Sequence, residues 1–493
     1  MLLGIEVVVG TLLLYIFYHW ICAAMVRYRI MKALKKFPGP KPHFLFGNIH
    51  QIESSKQFLD TYHRFSLEFP RKFVIWYGPL RPTLSVIHPE TIRPVIKAKT
   101  IKESMGYHFL LPWLGRGLLL ENGKKWLRNR KLITPAFHFD ILQSYTTIMN
   151  DCTSIFIDKL NAYATNDEKI NLFDCISLLS FDILLRCAFS MDLDCQRSDH
   201  NHPFIRITRE NTQLVEDRLY DKLRMMDFIY KLSKVGRQFA SNCHYSHQIA
   251  QQLIQDRKKQ LEESPINSST KKLSFLDILL SVRDNMGNPL TIKEMRDEVE
   301  NFLFAGHDTT TSAISWTLYC LAKYPQHQHK IYLEVQDLCK QGNLSMADLS
   351  KLQYTTMCIK EAIRLHTTVP MVNRKLEEDI QIDGILAPAG TEIEISPYAL
   401  HHNPEIWPNP WEYDPNRFNT DQIQHRDPYA YIPFLIGSRN CIGQVFALNE
   451  IKIVVAKTIY SYNLQIREDY QPKHLISVVL KAVNGLWLTV RQR

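Results

Sequence analysis

The ten residues Phe434-Leu-Ile-Gly-Ser-Arg-Asn-Cys-Ile-Gly443 place a single cysteine, Cys441, between two glycines. Arg439 stands two residues before it and Phe434 seven before it. The following run, Gln444 to Ala456, contains no proline and carries apolar side chains at helical spacing. Cys441 is therefore expected in a loop just ahead of a helix. Unpaired amide N–H groups and the helix dipole favour an anion at that place. A thiol that ordinarily titrates near ~8.5 becomes a thiolate in such surroundings, or on binding a metal.

That arrangement suits a thiolate ligand to haem iron. Gly437 and Gly443 would let the backbone approach a flat macrocycle, Arg439 would pair with a propionate, and Phe434 would shield the sulfur from water. A buried cysteine in a turn is the alternative, and the usual fate of a lone cysteine. Five specified positions in ten count against it. The loop resembles the haem-binding loop of the cytochrome P-450 monooxygenases.

The other cysteines add no competing metal site. Ten occur in 493 residues without one Cys-x-x-Cys pair, which argues against structural zinc and fits a reducing compartment. Leu2 to Val26 is almost continuously apolar, with Glu6 its only acid, and roughly 20 such residues span a bilayer. Arg27, Arg29, Lys32, Lys35 and Lys36 follow and would hold that end in the cytoplasm. In a cleaved signal peptide, the rival reading, the charges precede a shorter apolar core. Residues 1–26 are thus expected to be a single transmembrane anchor. Residues 27–45 would be a basic stop-transfer segment and a hinge stiffened by Phe37-Pro-Gly-Pro-Lys-Pro42, lifting the body off the membrane. Residues 46–493 would form one catalytic domain.

Within the body, strand-like runs at Phe73–Tyr77 and Thr83–Ile87 precede an overwhelmingly helical stretch from Pro89 to Leu376. The polar segment Ser264–Thr270 reads as an exposed loop. Strands return at Ile380–Asp383 and Thr391–Ile395, separated by Asp-Gly and Pro-Ala-Gly turns. The fold class is mainly α with small β-sheets, an α+β chain without an internal linker.

The candidate central helix, Ile292 to Lys323, contains Ala305-Gly-His-Asp-Thr-Thr310. Glycine, Asp and Thr are poor interior helix residues, and a local widening there would open a groove. The alternative is that the threonine hydroxyls bond back to their own helix. The string resembles the oxygen-activating helix of the same family. That implies Thr309 hydrogen-bonding bound dioxygen and Asp308 relaying protons.

Further roles follow from the resemblance. Glu361 and Arg364, three apart on one helix face, would join Arg417 to hold the haem-side core. Trp126, Arg130, Arg374 and Arg439 would receive the haem carboxylates. The cofactor implied is haem b, and the membrane implied is the endoplasmic reticulum with the catalytic body facing the cytoplasm. Lys124, Lys125, Arg128, Lys131, Lys452 and Lys457 would form a basic face for an acidic electron donor. That donor would be the flavoprotein NADPH-cytochrome reductase, with a small haem b electron carrier as a second candidate. No Gly-x-Gly-x-x-Gly follows a strand, so the chain has no nicotinamide or flavin signature of its own. No aromatic-basic module supports a nucleic-acid role.

Segments such as Pro112–Leu120, Leu132–Phe139, Phe302–Asp308 and Ala399–Pro404 resemble the fourth family of these enzymes. Hydroxylation of fatty acids and related lipids, with O2 as co-substrate, is the implied activity. A haem-thiolate isomerase or dehydratase acting on a lipid peroxide is an alternative, and so is a haem-binding protein without turnover. Phe109 to Leu120 would line the substrate channel or form ordinary core. One departure stands out. Many fourth-family members carry glutamate where this chain has Ala305, and esterify it to a haem methyl. Here haem is expected to be held without that bond.

Overall fold

Thr291 opens the central helix, Ile292–Lys323, with a reciprocal cap. Its hydroxyl accepts the Glu294 N–H at 3.2 Å, and the Glu294 carboxylate accepts the Thr291 N–H at 2.8 Å. Pro325 ends the helix, because a residue before proline avoids helical backbone. The bounds are those expected from the sequence. The helix packs along Leu172–Phe189, and both are buried over most of their length. Gly306 permits the approach, since a Cβ there would stand 2.8 Å from Leu184 Cδ1. Helices Phe139–Asn166, Gln353–Leu365 and Gln444–Ser461 pack around this pair. Trp316, Phe156, Ile359 and Val454 share the resulting core.

The computed structural model describes residues 2–493 except 53–54, 198–201, 222, 264–272 and 467–469, with backbone alone at 2–10 and 55–56. The expected loop Ser264–Thr270 lies outside the described residues.

Strands from both ends of the body join in one five-stranded sheet. Its order is Lys72–Trp76, Pro82–Val86, Glu392–Ile395, Val372–Leu376, Thr100–Ile101. The Pro82–Val86 and Glu392–Ile395 strands run parallel, with Thr83 opposite Glu392 and Val86 opposite Ile395. The helical stretch ends at Leu365, not at Leu376 as expected. Pro370 bars helix there, and Val372 pairs with Ile395 instead. Tyr462–Gln465, Trp487–Gln492 and Ile170–Asn171 form a three-stranded sheet at the far edge.

The N-terminal helix is continuous from Leu2 to Leu34, so Arg27, Arg29 and Lys32 belong to it rather than to a separate stop-transfer segment. From Thr11 on it is buried nowhere along its apolar window, and Leu12, Leu13, Phe17 and Trp20 are each more than half exposed. The proline-rich segment is not a free hinge. Leu34 and Phe37 are buried with Val74 and Ile393. The Val74 N–H donates to Pro38 O at 2.9 Å, and a Cβ at Gly39 would stand 2.5 Å from Val74 O. The segment lies flat on the sheet because its buried residues and its carbonyl find partners there.

Candidate functional site

Between the central helix and the Cys441 loop lies a cavity enclosing about 1670 Å³, its open mouth included. The loop closes on itself: the Cys441 N–H donates to Phe434 O at 2.9 Å, and the Asn440 N–H to Gly437 O at 3.2 Å. Leu435 and Gly437 take left-handed backbone, with φ of 56° and 87°. Such backbone is natural for glycine and strained for leucine. Gly437 does not line the cavity. A Cβ there would meet Ile96 Cγ2 at 2.8 Å, so turn geometry and packing demand that glycine. Gly443, at the start of Gln444–Ser461, does line the cavity, as do Phe434 and Cys441.

Cys441 is the one cysteine of ten on the cavity wall, and the eight others of the body are buried elsewhere. Burial pushes its thiol above the ordinary range, while the Gly443 N–H, Arg130 and Lys102 pull the other way.

Three cations line the cavity beside the loop, Lys102, Arg130 and Arg439, and a fourth, Arg374, lies near Lys102 and Arg439 without lining it. Arg130 donates to Asn440 O at 3.1 Å and to Asn440 Oδ1 at 3.0 Å. Arg439 donates to Glu121 O at 2.9 Å and Asn122 Oδ1 at 3.1 Å, its guanidinium 4.1 Å from the Trp126 ring centroid. Arg374, buried, donates to Asn373 O at 2.8 Å. Lys102, which sequence reasoning missed, donates to Leu119 O at 2.8 Å. Burial, then Arg374 and Arg439, hold the Lys102 amine well below its usual range. Burial and Arg374 push Arg439 down to about 10. Among the described residues no carboxylate comes within ion-pair distance of any of the four. Enclosed cations without counter-ions call for an anionic ligand, and a macrocycle with two propionates fits. Trp126 is on the cavity wall, but its N–H already donates to Leu118 O at 3.1 Å.

On the opposite wall, Ala305 and Thr309 face the cavity. The helix runs unbroken here, without the expected widening. Thr309, Thr310 and Thr311 donate their hydroxyls to the carbonyls of Ala305, Gly306 and His307 at 2.7–2.9 Å, which keeps the turn closed. Asp308 does not line the cavity. Its carboxylate pairs with Lys481 at 3.0 Å, and its Oδ2 is buried without a partner. Behind Thr310 lies Glu450, fully buried, its carboxyl pushed up to about 8 by desolvation. Phe109 and Trp113 belong to a buried core cluster, whereas Leu118 and Leu119 line the cavity.

Glu361 and Arg364 meet in a bidentate pair, Nε–Oε2 2.7 Å and Nη2–Oε1 2.9 Å, both side chains fully buried. Arg417 Nε lies 3.4 Å from Glu361 Oε1. A second missed residue, His401, links this pair to the loop. The Ile432 N–H donates to His401 Nε2 at 3.1 Å. Nε2 is therefore the acceptor and Nδ1 carries the proton toward Thr367 Oγ1, 2.9 Å away.

The expected basic face is paired with carboxylates at two of its six positions. Arg128 pairs with Asp284 at 3.1 Å and Glu294 at 3.2 Å, and Lys125 lies 3.4 Å from Glu121. Lys452 and Lys457 donate to the Leu349 and Asn150 carbonyls. Lys124 and Lys131 remain as exposed charges.

Residues 37–488 match the family model "Cytochrome P450". Cytochrome P450 4F12 of Homo sapiens is 37% identical over 97% of this chain and 95% of its own length. Cytochrome P450 4F4 of Rattus norvegicus is 38% identical, over 94% and 91%. Leukotriene-B4 omega-hydroxylase 3 of Mus musculus is 36% identical, over 96% and 93%.

Proposed function

The chain belongs to the cytochrome P450 family and is a haem-thiolate monooxygenase, and we propose that it hydroxylates a fatty acid or related lipid with Cys441 as its iron ligand. The observation that carries this reading is the cavity itself. Cys441 and three of the cations, Lys102, Arg130 and Arg439, line it together with an apolar wall that includes Phe137, Leu184, Phe302 and Val369. Such a wall favours an extended apolar substrate by desolvation. Similarity to a protein named for leukotriene-B4 omega-hydroxylation supports a lipid.

Bound haem supplies the activation of O2 and the transfer of one oxygen atom. The chain's own residues do the rest. Lys102, Arg130 and Arg439, with Arg374 nearby, would hold the carboxylates, and Ala305 leaves the facing helix without a group to esterify. Thr309 presents a hydroxyl at the cavity wall that can exchange its Ala305 bond for a bound ligand. Asp308, paired with Lys481 away from the cavity wall, would relay protons toward Thr309 from behind it. Electrons come from a flavoprotein reductase, since the chain carries no nucleotide signature. Turnover of a fatty-acid panel with reductase, NADPH and O2 tests the reading; oxygen and NADPH consumed without hydroxylated lipid on any member would overturn it.

Four expectations attach here. Thr309→Ala should keep haem and substrate binding while product per NADPH falls by up to ~10² and peroxide rises; unchanged coupling would remove Thr309 from proton delivery. Acid-organic extraction should release haem unmodified, because Ala305 has no carboxylate. Ala305→Glu should crosslink partly during turnover, since position 305 faces the cavity; covalent haem on the native chain would contradict this. Asn343 heads an exposed Asn-Leu-Ser345 sequon and should stay bare on an endoplasmic-reticulum protein whose body is cytoplasmic. A glycan found there by mass spectrometry would reverse the orientation.

A further inference from the structure

We propose that the proline-rich segment, folded onto the sheet, forms a binding site for one anionic membrane phospholipid, with the acyl chain in an apolar groove and the phosphate on Lys41 and Arg64. The groove, about 790 Å³ with its open side included, is lined by Met31, Leu34, Phe37, Phe44, Trp76 and Pro79 among others. It exists only because Phe37–Pro42 lies down against Val74 instead of spanning free. Beside it opens a second, polar pocket whose walls include Lys41, His50, Arg64 and Glu68. The two share Pro40, so an apolar slot and a cationic cup adjoin. Lys35 stands on the groove wall as well. Lys35, Lys41 and Arg64 are exposed and form no ion pair among the described residues, so Glu68 leaves the site with a net positive charge.

Position identifies the occupant. The site rests on the reading of Leu2–Val26 as a membrane anchor. A helix rises about 1.5 Å per residue, which puts Met31 about 8 Å beyond Val26. The polar headgroup region extends roughly 5–8 Å beyond the hydrocarbon on each side. Helix Leu2–Leu34 has no break in between, Arg29 is paired with Asp379 on the body, and Leu34 is buried in it. The groove is therefore fixed at headgroup depth. At its mouth Phe44 is 84% exposed, with Leu45 and Leu80 each more than half exposed. Those side chains are costly in water and at home among acyl chains. An apolar slot, a cationic cup and that depth match a phospholipid.

The test uses the full chain in nanodiscs containing a photoactivatable phosphatidylserine. Crosslinks should fall on peptides within 31–47 and 76–80 as well as on the anchor helix. Lys41→Ala and Arg64→Ala should each lower the groove labelling about fivefold, from the loss of one cation near an anionic surface. Labelling of the anchor helix should stay constant. Phe44→Asp should lower groove labelling without altering the haem spectrum. Groove labelling unchanged in the Lys41 and Arg64 variants, labelling confined to the anchor helix, or equal labelling by phosphatidylcholine would each overturn the site while leaving the anchor intact. Protein recovered free of nanodiscs and unlabelled throughout would overturn the anchor itself.

Discussion

Cys441→Ser should yield a folded protein that lacks the carbon-monoxide difference band of a thiolate-ligated haem and turns over at background. The loop does not depend on the sulfur, because its closing bond runs from the Cys441 N–H to Phe434 O. Serine is close to cysteine in shape and can still accept the Gly443 N–H that now points at the sulfur. What is lost is the soft anionic ligand that donates electron density to the iron. The control is Cys358→Ser. Cys358 lies buried on the Gln353–Leu365 helix, its thiol pushed up to about 12, chiefly by desolvation, and it is remote from the cavity wall. It should keep the band. Retention of the band by Cys441→Ser would remove the central assignment, and its loss from both variants would point to general misfolding.

What the sequence made legible was what is local. The central helix could be bounded closely because its end is marked locally, with Pro325 two residues beyond Lys323. Its periodicity also contained the orientation of the site. Ala305 and Thr309, four apart, share a face, and Asp308 lies about 100° away from Thr309 at 3.6 residues per turn. The separation of Asp308 from the cavity was therefore readable. Long-range facts were not legible. Nothing near Val86 announces a parallel partner at Ile395, because such a pairing has no turn to betray it. Lys102, in Thr100-Ile-Lys-Glu103, looks like a surface lysine, and only the fold reveals three arginines and a cysteine around it. The hinge failed for the same reason. Proline content predicts stiffness, but whether a stiff segment stands free or lies down is decided by Val74 and Ile393, which pack with Leu34 and Phe37.

Arg364→Ala should accumulate as haem-free protein. All five guanidinium N–H groups of Arg364 are engaged: two with Glu361 at 2.7 and 2.9 Å, and three with the carbonyls of His401, Pro410 and Glu412 at 2.7–3.0 Å. Truncation leaves a fully buried carboxylate with only the Asp414 N–H and Arg417 beside it and takes the donor from three carbonyls, a loss of about 3–5 kcal/mol for a broken buried pair. Global stabilities are only about 5–15 kcal/mol, so the loss is roughly a fifth of the total or more. The damage also has a direction. His401, whose carbonyl Arg364 holds, accepts the Ile432 N–H, and Pro433 and Phe434 then begin the cysteine loop. Arg364→Lys should not rescue, because an ammonium has three donors and no planar fork to offer Glu361. Ile359→Ala, a truncation of a fully buried side chain on the same helix, costs about 2–5 kcal/mol. It should lower the melting temperature comparably yet retain haem. The haem-to-protein absorbance ratio separates the cases. A wild-type ratio in Arg364→Ala, or an equal loss in Ile359→Ala, would reduce the buried pair to general stability and break its link to the cysteine loop.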